Sequence, residues 1–255
     1  MSQLTVRNLE IVYGEGSAPA ITDINLEIDQ GEFVTVIGPS GCGKSTLLHA
    51  LGGMLPPSSG EVSLAGTVIR KPDPHAAAFV FQDYSLFPWK TVLDNVAMGM
   101  RFAREGKRAA LAQAQRELDF VSLGDKGHLY PPALSGGMQQ RVAVARALAL
   151  KPKFLLMDEP FGALDEQTRR SLGSDLTRIL HESGQSVVLI THSLEESIFW
   201  ADRIIVMEAG PGRIRTEITV DEPWPRRLDF MTSNHFDTLR AELFRLIQPS
   251  QATAA

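Results

Sequence analysis

The chain has 255 residues, is 44% hydrophobic and 22% charged, and carries a formal net charge of -5. Its apolar content suits one large domain, or a domain with an added lobe. The acidic balance argues against a nucleic-acid partner, which calls for basic surface against phosphates, and a single cysteine, Cys42, excludes an internal disulfide and fits a reducing compartment.

Residues 1–13 lack the basic-then-apolar pattern of a secretion signal. Residues 4–13 alternate loosely and predict a strand, as do residues 24–28. The Asp29-Gln30-Gly31 turn leads into residues 33–37, which are almost wholly apolar, as in a strand buried on both faces of a parallel sheet. A glycine loop and a helix over about 44–51 follow, ended by Pro56-Pro57-Ser58-Ser59-Gly60. Short strands are expected at 61–64, 67–69 and 77–81.

From about residue 91 to 150 the spacing becomes helical, and residues 107–121 are rich in Ala, Gln, Arg and Glu. Strand patterns return at 154–157, 187–190 and 203–207, with helices over about 165–182 and 194–200. A short strand at 213–219 and a helix at about 235–247 complete the pattern, and the Ala-rich end after Pro249 reads as disorder. The expected class is therefore α/β, interrupted by a helical insertion at about 90–150. The longest apolar runs fall far short of the roughly 18 residues a spanning helix needs, so any membrane role is expected to be peripheral.

Two segments carry chemistry by their residue types alone. Gly38-Pro39-Ser40-Gly41-Cys42-Gly43-Lys44-Ser45 matches the phosphate-loop pattern and sits between an apolar strand and a helix. Its glycines let backbone N–H groups converge on phosphate oxygens, and the helix N-terminus adds positive potential. Lys44 is placed to reach the β- and γ-phosphates of a nucleotide, and the Ser45 hydroxyl to hold Mg²⁺. Cys42 reads as a small residue in a tight loop rather than a nucleophile. The second segment, residues 154–160, is an apolar strand ending in Asp158-Glu159-Pro160. Ligands gather beyond the carboxyl ends of parallel strands. Asp158 is expected in the Mg²⁺ shell, and Glu159 beside an attacking water as its base.

A third segment, Leu134-Ser135-Gly136-Gly137-Met138-Gln139-Gln140, places a Ser-Gly-Gly turn at a helix N-terminus, a second anion-binding arrangement. This heptapeptide resembles the signature of the ATP-binding-cassette (ABC) ATPases. The order Tyr13, Gly38–Ser45, Gln82, Leu134–Gln140, Asp158-Glu159, Ala163-Leu164-Asp165, His192 is similar to that family across about residues 1–220. The resemblance implies a phosphate-loop NTPase core with a mainly parallel sheet, an N-terminal antiparallel β subdomain and the helical subdomain at about 90–150. Residues 221–255 form a C-terminal extension with one helix.

Further roles follow from the resemblance. ATP with Mg²⁺ is the implied nucleotide. The binding set is Tyr13 stacking on adenine, Gly38, Pro39, Ser40, Gly41, Cys42, Gly43, Lys44, Ser45 and Thr46 around the phosphates, and Ser135, Gly136 and Gly137 touching the ATP of a partner subunit. Asp165 crosses to the partner and also reads as a helix N-cap. Gln82 senses Mg²⁺ and water, and His192 contacts the γ-phosphate. Catalysis is assigned to Glu159, His192, Lys44 and Gln82, and the metal shell to Ser45, Gln82 and Asp158. Two departures stand out: Ser193 follows His192 where Asp is common, and Met138 stands where Gln is common.

The implied partners are a second ATPase subunit, transmembrane permease subunits and, indirectly, an extracytoplasmic solute-binding protein, at the cytoplasmic face of a bacterial inner membrane. The apolar, aromatic segment Tyr84-Ser85-Leu86-Phe87-Pro88-Trp89 suits a contact with a permease helix. Residues 86–96 and Gly210-Pro211-Gly212-Arg213-Ile214 resemble the ATPases of nitrate, aliphatic sulfonate and taurine importers. The alternative is a soluble, non-transport ABC ATPase. Repair versions carry a long coiled-coil insertion, and no sustained heptads occur here. A phosphate-loop GTPase or small-molecule kinase has no use for the signature heptapeptide.

Overall fold

A computed structural model describes residues 2–14, 16–103, 106–162 and 166–248, without the side chains of 2 and 166–172. The Ala-rich end lies outside these residues. The elements in chain order are β1 (Ser2–Ile11), β2 (Ile21–Asp29), β3 (Phe33–Ile37), α1 (Lys44–Leu51), β4 (Ser59–Leu64), β5 (Thr67–Val68), β6 (Ala77–Val80), α2 (Val92–Phe102), α3 (Lys107–Phe120), α4 (Gly136–Leu148), β7 (Phe154–Asp158), α5 (Glu166–Glu182), β8 (Ser186–Ile190), α6 (Leu194–Trp200), β9 (Arg203–Glu208), β10 (Arg213–Thr219) and α7 (Asn234–Ile247). The chain divides into two units, Met1–Pro72 with Gly184–Ala255, and Asp73–Ser183.

In the first unit, β2, β1, β4 and β5 form an antiparallel sheet in that order. Its inward positions alternate with polar ones, as in β2, where Ile24, Leu26 and Ile28 are buried and the residues between them are not. Beside it, β3 pairs in parallel with β8 on one side and β9 on the other, and β10 runs antiparallel to β9. All five residues of β3 and of β8 are buried. Helices explain that double burial, because α1 packs against β8 and α6 against β3. Arg203 at the start of β9 ties the layers together. It pairs with Glu32 at 2.7 Å and with Glu217, and it donates to the Glu27 carbonyl at 2.5 Å. Burial pulls its pKa down, and the two carboxylates outweigh that and raise it.

The second unit pairs β6 with β7 in parallel, Ala78 opposite Leu155 and Val80 opposite Met157. Helices α2, α3 and α4 pack on one another around Val96, Met100, Ala114, Leu118, Val142 and Ala145, all with 1% exposure or less. Ala at 110, 114 and 145 lets the helices approach closely without large cavities. The segment preceding α2 is held from inside. Asn95 is fully buried, accepts from the Phe87 N–H at 2.8 Å and donates to the carbonyls of Phe87, Lys90 and Thr91 at 2.9 to 3.2 Å. Thr91 caps the helix through the Asp94 N–H. Arg146 on α4 donates to the carbonyls of Ser85 and Tyr84 at 2.6 and 2.8 Å.

Candidate nucleotide site

The first unit assembles Tyr13, the loop 38–46 and His192. The loop leaves the buried end of β3 and enters α1, whose N-cap is Gly43 with no side-chain cap. Glycine is required at that cap. Its φ is +91°, and a Cβ there would run into the Ile21 side chain and sit 3.2 Å from the Ala20 carbonyl oxygen. At Gly38 a Cβ would lie 2.6 Å from the Met207 carbonyl oxygen and 2.8 Å from Cys42 Sγ. The small, fully buried Cys42 is thus the inner wall of the loop. Burial pushes its thiol pKa up, against the lowering influence of Lys44.

Among the described residues, Cys42 donates its N–H to the Pro39 carbonyl at 3.3 Å, and the next such backbone bond belongs to Leu47, on Gly43 at 2.9 Å. The Lys44 N–H lies against the Cys42 thiol, while those of Gly43, Ser45 and Thr46 take no backbone acceptor among the described residues, which is the donor set a polyphosphate chain needs. The Lys44 ammonium folds over the same loop, 3.0 Å from the Gly38 carbonyl and 3.1 Å from that of Pro39. Ser45 is exposed at the first turn of α1. Tyr13 is 61% exposed, and its hydroxyl meets the Thr46 hydroxyl at 3.0 Å, so an open aromatic face stands over the helix start. The residues present therefore fit a nucleoside triphosphate, and the Ser45 hydroxyl offers one oxygen to its cation.

His192 is exposed at the carboxyl end of β8. The turn around it is held by side chains. Thr191 donates to Glu196 Oε2 at 2.5 Å and accepts from the Ser193 N–H at 3.0 Å, and Ser193 caps α6 through the Glu196 N–H at 3.2 Å. Ser193 does here what an Asp would do, so that departure leaves the turn intact.

The second unit brings Gln82, Asp158 and Glu159 together. A Cβ on Gly162 would lie 3.2 Å from Gln82 Nε2 and 3.2 Å from the Glu159 carbonyl oxygen, so Gln82 hangs over the turn that follows β7. Asp158 ends β7, and Glu159 follows with φ +44°, a left-handed conformation unusual for a side chain of its size. Ser135 and Gly136 are exposed and Gly137 is buried. Ser135 is the N-cap of α4, accepting from the Met138 N–H at 3.4 Å. The Met138 side chain packs against the helical core, which accounts for an apolar residue at that position. Ala163, Leu164 and Asp165 lie outside the described residues. No group of three or more His, Cys, Asp or Glu side chains that could hold a metal occurs among the described residues.

The family model for ABC transporters matches residues 21–162, more than half of the chain. The chain belongs to the ABC transporter family. It is 41% identical over 97% of its length to the aliphatic sulfonates import ATP-binding protein of Bacillus licheniformis, covering 95% of that protein. It is 42% identical over 92% of its length to the nitrate import ATP-binding protein of Synechococcus elongatus, and there it spans 36% of the relative. Bicarbonate transport ATP-binding protein of a Synechocystis strain matches at 43%, again over 37% of the relative. Among solved structures, a dimeric ATP-binding cassette in a post-hydrolysis state with ADP and Pi aligns with TM-score 0.72 and 32% identity, over 86% of this chain and all of that one. A component of an ABC transporter complex from Clostridium perfringens aligns with TM-score 0.77 and 25% identity, over 96% and 97%. The fold is that of an ABC ATPase, with the mainly parallel sheet, antiparallel subdomain and helical region expected of it.

Two features of this cassette escaped the sequence reading. Gly212 backs the phosphate loop: its N–H reaches the Ala20 carbonyl at 3.0 Å, its carbonyl accepts from Thr22 at 2.9 Å, and a Cβ there would overlap the Cys42 carbonyl. Residues 210–214 entered the sequence reading only as a resemblance to importer ATPases, and the partner Gly212 faces is far away in sequence. The other is Arg226, buried to 7% exposure with no motif around it.

Proposed function

We propose that the chain is the ATP-hydrolysing subunit of an importer, energising uptake of a small anion of the nitrate, sulfonate or bicarbonate kind. The observation that carries this reading is the uncapped N-terminus of α1, with Lys44 folded back on the Gly38 and Pro39 carbonyls beside N–H groups of Gly43, Ser45 and Thr46 that take no backbone acceptor among the described residues. ATP binding follows from family membership; the roles of single residues and the cargo are proposed. The names of the relatives support an anion, and none of the cargo contacts are expected to involve this chain.

In this reading Lys44 and the loop N–H groups bind the β- and γ-phosphates. Ser45, Asp158 and Gln82 would hold Mg²⁺, which supplies charge neutralisation when bound. Glu159 takes the proton of the attacking water, and His192 holds that water and the γ-phosphate in line. The P–O bond to the β-phosphate breaks as the new P–O bond forms, and ADP leaves with the negative charge. Ser135, Gly136 and Gly137, exposed at the start of α4, act on the nucleotide of a second copy, and Asp165 acts across the same pair. Permease subunits dock on the helical region and the 84–89 segment, with a solute-binding protein on the far side. Among the described residues no helix is long and apolar enough to cross a membrane; in this reading the chain sits peripherally at the cytoplasmic face, held by its permease partners.

The test is phosphate release from ATP by the purified chain, with and without Mg²⁺, together with its mass in solution. Metal-dependent release and an ATP-promoted dimer are expected. A chain that hydrolyses at full rate as a strict monomer in the presence of its permease overturns the paired mechanism.

A further inference from the structure

The segment after β10 turns back onto α6, the helix that begins two residues after His192. Arg226 sits at the centre of that return. It is 7% exposed, and every acceptor it uses is a backbone carbonyl. Nη1 donates to Ile198 at 2.9 Å, Phe199 at 3.1 Å and Ala201 at 2.7 Å. Nε reaches Glu222 at 3.0 Å, and Nη2 reaches Val220 at 3.3 Å. The first three carbonyls are at the C-terminal end of α6, where helices leave acceptors unfilled and carry partial negative charge. The guanidinium also lies 5.2 Å from the Trp224 ring and 5.9 Å from the Phe230 ring, and Phe230 stacks on Phe199 of the same helix at 6.5 Å.

A seven-residue helix is too short to hold its own position. Here α6 is fastened at both ends. Ser193 and Thr191 fix the end beside His192, and Arg226 fixes the other, about 10 Å away at 1.5 Å of rise per residue. We propose that Arg226 is the positioning residue for His192: through α6 the C-terminal segment sets where the imidazole stands when nucleotide is bound. The family match ends at residue 162, so this segment lies outside it. Burial lowers the guanidinium pKa to about 10, opposed by Asp202 and Glu222, so the clamp stays charged at neutral pH. The inference rests on the γ-phosphate role proposed for His192.

The test uses the full chain with labelled histidines, six in all, the His192 resonance being assigned by its loss in His192→Ala. Arg226→Gln is expected to move that resonance and leave the His49 resonance in place, and to lower kcat about tenfold with KM for ATP within about twofold. The double variant Arg226→Gln with His192→Ala is expected to be no slower than His192→Ala alone. Arg226→Lys, with three donors for five carbonyls, is expected to fall between parent and Arg226→Gln, and it serves if the Gln variant does not fold. The exposed neighbour Arg227→Gln is the control, with no change expected. An unmoved His192 resonance with parental kcat in folded Arg226 variants overturns the inference. An unchanged kcat in His192→Ala overturns instead the role of His192 in hydrolysis, while the resonance shift still reports the positioning.

Discussion

Lys44 donates its ammonium to the carbonyl oxygen of Gly38 at 3.0 Å, so the cation of the phosphate loop closes back on the residue that opens the loop. A second bond to Pro39 at 3.1 Å fixes the same geometry. The loop therefore carries a positive tip held over its own first two carbonyls.

Lys44→Ala removes the charge and leaves the donors. ATP affinity is expected to fall at least about tenfold, about 1.4 kcal/mol, and phosphate release to become nearly undetectable. Titration with a fluorescent nucleotide and a phosphate assay measure the two separately. An unaffected rate refutes the role given to Lys44.

Glu159 holds φ at +44°, and Gln in its place keeps that backbone while removing the base. Glu159→Gln is expected to bind ATP normally, to release phosphate about 10²–10⁴-fold more slowly and to accumulate a closed dimer on a sizing column. Glu159→Gly, which adopts the same φ without strain, is expected to gain stability of about 1 kcal/mol while losing activity. Normal turnover in the Gln variant rules Glu159 out as the essential base.

Cys42 is fully buried, and burial holds its thiol above the ordinary pKa of 9.0. Thiolate is the reactive form. Maleimide is expected to label the native chain far more slowly than the chain in denaturant, at equal pH, and any label that does enter should block nucleotide binding. Rapid native labelling with unchanged ATP affinity contradicts this picture of the loop wall.

Glu117 in α3 is pushed above its ordinary pKa of 4.5 by burial, against lowering contributions from Gln113, Lys151 and Arg116. The native state thus holds this proton more tightly than the unfolded chain. Its effect on stability is unfavourable at neutral pH and fades as pH falls toward 4.5. Glu117→Gln, which keeps a partner for the Gln113 amide at 2.5 Å, is expected to raise Tm at about pH 8, with the gap narrowing at about pH 4.5. Thermal melts at the two pH values decide it, and a gap that widens in acid contradicts the shift.

Local segments were legible wherever their chemistry is short-range. Within the helical stretch expected at about 91–150, the Ala-, Gln-, Arg- and Glu-rich run forms the helix Lys107–Phe120, and the strand expected at 154–157 runs Phe154–Asp158. Strand ends moved by a residue or two, as at β5, where Thr67–Val68 replaces an expected 67–69. Such ends depend on which neighbour supplies the hydrogen bonds. The Tyr84–Trp89 segment read as a docking strip, and its aromatics are partly placed by Asn95 from below, an interaction that alternation and composition do not encode.

Residue order alone determined the phosphate loop, the signature turn and the carboxylates ending β7, because each works through backbone geometry and helix polarity within a few residues. Only the tertiary structure decided that Gly212 backs Cys42 and that Arg226 fills the carbonyls ending α6. Those pairings join residues 25 or more apart. The free energy that selects them, burial of polar groups that must find partners, exists only once the chain has closed around them.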